Sequence, residues 1–117
     1  MNYFNKNLQI DRVKVQNIVK KLNTPLYCYS YKQLKENIDN FKNSFKSFAP
    51  LICFSIKSNN NLNLIKEIKK LGLGADVVSI GELMLALKAG INPKKLFSQE
   101  LEKHLTKSNL QLIKKFY

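Results

Sequence analysis

The sequence predicts an α/β fold organised on a parallel sheet, from three observations. Leu51-Ile52-Cys53-Phe54-Ser55-Ile56 is a short apolar run that stops at Lys57, the length and composition of a buried strand. Asn59 to Asn61 then supply helix-capping side chains, and Leu62, Ile65 and Ile68 recur at helical spacing, as the buried face of an amphipathic helix does. A second apolar run follows at Ala75-Asp76-Val77-Val78. Strand, helix and strand with short connections make a βαβ unit, whose strands run parallel.

Taken in order, residues 11–22 place Val15, Ile18, Val19 and Leu22 at helical spacing, which predicts a short helix. Thr24-Pro25 ends it, because proline disfavours helix in the residue before it, and Leu26 to Tyr29 reads as a short strand. Residues 31–48 read as an amphipathic helix with Leu34, Ile38, Phe41, Phe45 and Phe48 on one core-facing stripe and lysines opposite. Ala49-Pro50 breaks it and leads into the strand that stops at Lys57. Gly72 or Gly74 closes the next helix. After the strand at 75–78, a helix runs from about Ile80 to Ala89. Gly90 and Pro93 punctuate its end, and Leu96-Phe97-Ser98 offers a third strand.

Composition narrows the function. The chain of 117 residues carries a formal net charge of +12, which raises a nucleic-acid reading. The lysines, however, are spread over every segment, and Arg12 is the single arginine, although arginine dominates phosphate and base recognition. The lysines read as solvated helix faces, and no nucleic-acid partner is expected. No apolar run reaches membrane-spanning length and the first residues do not form a signal peptide, so a soluble, cytoplasmic protein without a membrane partner is expected. Cys28 and Cys53 lie in apolar runs without metal-ligand spacing and read as buried, reduced thiols; no metal is expected.

Lys57 stands at the carboxyl end of a strand, the edge where open α/β sheets and barrels place chemistry. A lysine there can end a strand in water, or it can serve as an amine nucleophile that condenses with an aldehyde, partial burial keeping it unprotonated. Asp76 lies inside an apolar strand, where a charge is costly without a partner. It reads either as a site carboxylate that orients a lysine or a ligand ring, or as a salt-bridge or hydrogen-bond partner at the strand end. Ser79-Ile80-Gly81-Glu82 fits a capping box, so Glu82 is assigned to capping first and to the site second.

The wider sequence decides between the readings of Lys57. Thr24-Pro25-Leu26-Tyr27-Cys28-Tyr29 resembles a T-P-L-Y-V-Y strand, Phe54-Ser55-Ile56-Lys57-Ser58-Asn59 a Y-A-V-K-A-N cofactor-lysine motif, and Gly74 to Leu83 a G-F-D-V-V-S-x-G-E-L segment. The ordered set resembles the fold-type III pyridoxal-phosphate-dependent decarboxylases, and within them the diaminopimelate decarboxylases. Ser30 departs from the pattern, which has an acidic residue there. The resemblance implies an N-terminal fragment of a (β/α)8 TIM-type barrel. In this reading residues 1–30 are an N-terminal helix and strand, 31–98 an incomplete cofactor-binding barrel domain, and 99–117 a tail. It further implies pyridoxal 5'-phosphate as cofactor, Lys57 as the catalytic residue that bonds to it, and Asp76 as a cofactor-site carboxylate. The substrate implied is a small amino acid, meso-diaminopimelate, converted to L-lysine and carbon dioxide. The full-length family works as a homodimer, and its phosphate loop, ring-nitrogen partner and second domain come later in the chain.

After Ser98 the family pattern G-x-G-K-T is replaced by Gln99-Glu100-Leu101-Glu102-Lys103-His104. Read from the last base of the Gln99 codon in the shifted frame, permitted codons spell G-V-G-K-T-F-N-E-I-K-L-A-I-N-K-K. Residues 99–117 are therefore expected to be an out-of-frame tail, and His104 is not read as catalytic. A barrel of this kind takes about 250 residues, so two or three of its strands leave an exposed edge and half a core. Marginal stability and no activity alone are expected. The alternatives are another enzyme on the same barrel (ornithine, arginine or carboxynorspermidine decarboxylase, or alanine racemase), a non-catalytic pyridoxal-phosphate-binding protein, or a basic nucleic-acid-binding module with lysines clustered on one face.

Overall fold

The computed structural model of the chain describes residues 2–4 and 6–98. The chain divides into two compact units, one up to Ala49 and one from Pro50 onward.

The first unit opens with an antiparallel meander that the hydrophobic periodicity does not predict. Its strands are β1 (Asn2–Phe4), β2 (Asn7–Ile10) and β3 (Val13–Lys14), in that spatial order. Ile10 pairs with Val13 across a two-residue turn in which Asp11 and Arg12 have φ of 49° and 68°. Two successive left-handed residues are the geometry whose twist suits a tight hairpin. The hairpin takes residues 11–14 out of the expected helix, so α1 begins at Val15 and runs to Leu22. Leu26–Tyr29 forms no strand: it finds no ladder partner among the described residues. Tyr27 is 91% exposed, and Cys28, expected to be buried, is exposed as well.

Helix α2 spans Tyr31–Ser44 and stops four residues before the expected end. There Phe45 N–H turns to Lys42 C=O and Phe48 N–H to Phe45 C=O, the tightened bonds of a helix end. Ser30 caps the start, its Oγ accepting from Gln33 N–H at 3.0 Å. Of the apolar stripe only Ile38 is buried; Phe41 and Phe45 stack at 4.9 Å between ring centroids, and Phe48 is 82% exposed. The expected core-facing role therefore holds for Ile38 alone.

The second unit holds the parallel sheet. Strands β4 (Cys53–Ser55), β5 (Gly74–Asp76) and β6 (Leu96–Phe97) lie side by side in sequence order. Helix α3 (Leu62–Lys70) joins β4 to β5, and α4 (Ile80–Lys88) joins β5 to β6. The starts are capped as the sequence predicts: Asn61 Oδ1 accepts from Asn63 and Leu64 N–H, and Ser79 Oγ from Glu82 N–H. Both helices end in the same way. Gly72 and Gly90, with φ of 83° and 84°, donate to Lys69 and Leu87, and Leu73 and Ile91 donate to Ile68 and Ala86. Each is a Schellman closure, which needs a left-handed residue and so favours glycine.

The sheet has two unlike faces. In register, Phe54, Ala75 and Leu96 form one row, and this row packs into a core with Ile56, Ile65, Val77, Leu83 and Ala86. Fully burying an isoleucine, valine or leucine of this core contributes about 1.5–3 kcal/mol. The opposite row is Ser55, Asp76 and Phe97, with Ser55 and Asp76 half-buried and Phe97 51% exposed. Gly74 is required where β5 meets the residues before β6: an added Cβ would stand 2.1 Å from Lys95 O and 2.9 Å from Cys53 Sγ.

Candidate active site

Strand β4 ends at Ser55, and the chain turns at once into a single 3-10 turn, Ile56–Ser58, that carries Lys57. Three interactions fix this turn. Ile56 is fully buried in the core. Asn59 N–H donates to Ile56 C=O at 3.0 Å. Ser58 Oγ donates to Ser55 C=O at 2.7 Å. The strand thus stops one residue short of the expected run, Ile56 passing to the turn, and Lys57 leaves the sheet at its carboxyl edge. Its side chain is exposed, not partly buried as an amine nucleophile was expected to be, because the turn lifts it off the strand.

Asp76 is the last residue of β5 and pairs in register with Ser55. Ser55 Oγ donates to Asp76 Oδ2 at 3.2 Å. The partner that a charge in an apolar strand demands is therefore a hydroxyl on the neighbouring strand, not a basic residue. Cys53, two residues before Ser55, shares this face. Burial pushes its thiol up, and the negative charge of Asp76 adds to the effect, because both disfavour the thiolate. The Sγ also donates to Lys95 O at 3.8 Å. The carboxyl edge of the sheet thus brings together Lys57, Asp76 and Ser55, with Phe97 in register beside Asp76.

Glu82 belongs to the helix start. Its carboxylate accepts from Val78 N–H at 2.8 Å while its own N–H donates to Ser79 Oγ at 3.2 Å. This is a capping box reaching one residue further back than the common form, and it commits Glu82 to structure. Ser55 is the residue that sequence reasoning left without a role. The available signal was a hydroxyl inside an apolar strand, two positions before a strand-end lysine.

An exposed amine and a half-buried carboxylate on one sheet edge fit the aldehyde-bearing ring of pyridoxal phosphate. The phosphate has no counterpart among the described residues: the glycines stand singly at 72, 74, 81 and 90, so no glycine-rich loop is formed.

Comparison with known proteins places this edge in context. Residues 31–115 match the family model described as pyridoxal-dependent decarboxylase, pyridoxal binding domain. The diaminopimelate decarboxylase of Helicobacter pylori strain J99 is 47% identical over 73 residues, which is 62% of this chain and 18% of that protein. That of Aquifex aeolicus is 40% identical over 96 residues, 82% of this chain and 22% of that protein. Among solved structures, the diaminopimelate decarboxylase of M. jannaschii in co-complex with L-lysine superposes with a TM-score of 0.79 at 31% identity, covering 83% of this chain and 24% of that one. The chain spans about a fifth of the length of the curated relatives it matches.

Proposed function

We infer, for a chain that belongs to the pyridoxal-dependent decarboxylase family, that it forms the first βα units of the cofactor-binding barrel of a diaminopimelate decarboxylase. Lys57 is the residue to which pyridoxal 5'-phosphate attaches. The observation that carries the reading is the placement of Lys57 on a pinned turn directly after β4, on the edge where Asp76 ends β5. Bound there, pyridoxal phosphate supplies the electron sink that loss of carbon dioxide from an amino acid requires. Lys57 supplies the amine that holds the group, and Asp76 orients that amine or the ring.

The substrate of the whole enzyme in this reading is meso-diaminopimelate, and the products are L-lysine and carbon dioxide. L-lysine is the molecule held by the M. jannaschii relative. A homodimer in the cytoplasm goes with the resemblance; no helix among the described residues is long and apolar enough to cross a membrane. No part that would hold the phosphate or the substrate is formed among the described residues.

Residues 99–117 lie outside the described residues, and the family match continues through residue 115. The out-of-frame reading of this stretch stands as a proposal that the gene decides: third-position bases after the Gln99 codon that cannot spell G-V-G-K-T in the shifted frame contradict it.

The test of the main reading is a visible-absorbance titration of the purified chain with pyridoxal phosphate. A saturable band that Lys57→Ala removes is expected, with no carbon dioxide released from meso-diaminopimelate by the chain alone. A band unchanged in Lys57→Ala overturns the assignment.

A further inference from the structure

Ser55 uses its hydroxyl and its carbonyl at the candidate site. Its hydroxyl donates to Asp76 Oδ2 at 3.2 Å, and its carbonyl accepts from Ser58 Oγ at 2.7 Å. One residue therefore connects the carboxylate that ends β5 to the turn that carries Lys57. The rest of that sheet face gives Asp76 little to hold it. Its registered neighbour on β6 is Phe97, and Cys53 lies one pleat earlier on β4. A half-buried carboxylate without a donor swings toward water, because leaving its oxygens unpaired near apolar surface is costly.

We propose that Ser55 is a positioning residue for the chemistry of Lys57: it holds the Asp76 carboxylate at the carboxyl edge, in register with Ser55 itself, two residues before Lys57. This rests on the reading of Lys57 as the attachment point. The chemistry gives the arrangement its use. Lys57 supplies the amine that condenses with the aldehyde of pyridoxal phosphate, two of its N–H protons leaving with the aldehyde oxygen as water. A carboxylate held at that edge orients the amine or the ring for this condensation. The 3.2 Å separation is long for a hydroxyl donor, which sets the expected effect at severalfold.

The experiment measures the rate of pyridoxal-phosphate attachment to Lys57, trapped with borohydride and read by peptide mapping, with the other lysines as internal reference. Ser55→Ala slows attachment at Lys57 about three- to tenfold, the scale of one lost hydrogen bond. Ser55→Thr and Ser55→Val form an isosteric pair suited to a strand, so they decide the question should the alanine variant lose its fold: threonine keeps the wild-type rate and valine is slow. In an Asp76→Asn background Ser55→Ala has no further effect, as expected of two residues acting as a unit. Equal rates for Ser55→Thr and Ser55→Val, or an undiminished effect of Ser55→Ala in the Asp76→Asn background, overturn the proposal while leaving Lys57 as the attachment point. A wild-type chain with no preference for Lys57 overturns that assignment and this one together.

Discussion

The two units of the chain handle their apolar residues differently. In the unit from Pro50 onward, each helix buries residues against the sheet that it connects: Ile65 and Ala86 are fully buried, and Ile56 and Val77 close the same core. In the unit up to Ala49, Ile10 and Ile38 are the buried apolar residues among those described, while Tyr3, Phe4, Tyr27, Phe41 and Phe48 are largely exposed. An amphipathic pattern states that a face wants cover; whether the cover lies within the same stretch of chain is a separate matter. The βαβ unit answers its own demand because strand, helix and strand are neighbours in sequence. Helix α2 carries an equally clear stripe that the first unit does not cover.

That contrast can be broken most forcefully at Gly74. A methyl group there meets a backbone oxygen, so Gly74→Ala must part β5 from the chain before β6. A loss of about 3 kcal/mol or more is expected, enough to melt the second unit in a urea titration followed by far-ultraviolet circular dichroism. Ile65→Ala, at a fully buried position of α3, removes about 2–5 kcal/mol. Phe48→Ala, at an equally large side chain that is 82% exposed, changes stability by no more than about 0.5 kcal/mol. Similar losses at Ile65 and Phe48 would show that the stripe of α2 is covered in solution.

A smaller effect sharpens the account of the first unit, which is held by polar links more than by a core. Ser30 Oγ caps α2 and donates to Asp11 Oδ1 at 2.6 Å, and Asp11 Oδ2 also accepts from Lys32 N–H. Ser30→Ala removes the cap, worth about 1 kcal/mol. The Ser30 hydroxyl, followed by the backbone N–H of Lys32 and Tyr31, holds the Asp11 carboxyl below its ordinary value. A lowered carboxylate stabilises the fold above its unfolded-state value and loses that contribution as pH falls through the folded one. A carboxyl NMR titration therefore finds Asp11 ionised to lower pH than an unpaired aspartate, and Ser30→Ala returns it toward the ordinary range. The smallest effect reports on the candidate site. Asp76→Asn removes the charge that helps hold the Cys53 thiol up, so alkylation of Cys53 at mildly alkaline pH quickens. The exposed Cys28 reacts at an unchanged rate.

What could be read in the sequence follows the same division. Strands β4 to β6, both connecting helices, their Asn61 and Ser79 caps and their glycine closures were legible because each signal is local and each is satisfied locally. The N-terminal meander was not. Its turn rests on Asp11 and Arg12 at positive φ, and Asp-Arg lacks the glycine that normally announces such a turn. Leu26–Tyr29 has strand composition, but composition makes a strand only where a ladder partner exists. At the candidate site, the position of Lys57 was legible from the abrupt end of an apolar run. Its exposure was not, because that depends on a turn closed by Ser58. The partner of Asp76 was equally hidden, since register, not sequence distance, brings Ser55 beside it.

The central claim is that the turn after β4 makes Lys57 chemically distinct among the many lysines of the chain. The most direct test is to saturate the purified protein with pyridoxal phosphate, reduce with borohydride and map the labelled peptides. A dominant adduct on Lys57, with the remaining lysines at background, is the predicted result. Labelling spread evenly over the lysines, with Lys57 no more reactive than those on the helix faces, contradicts it.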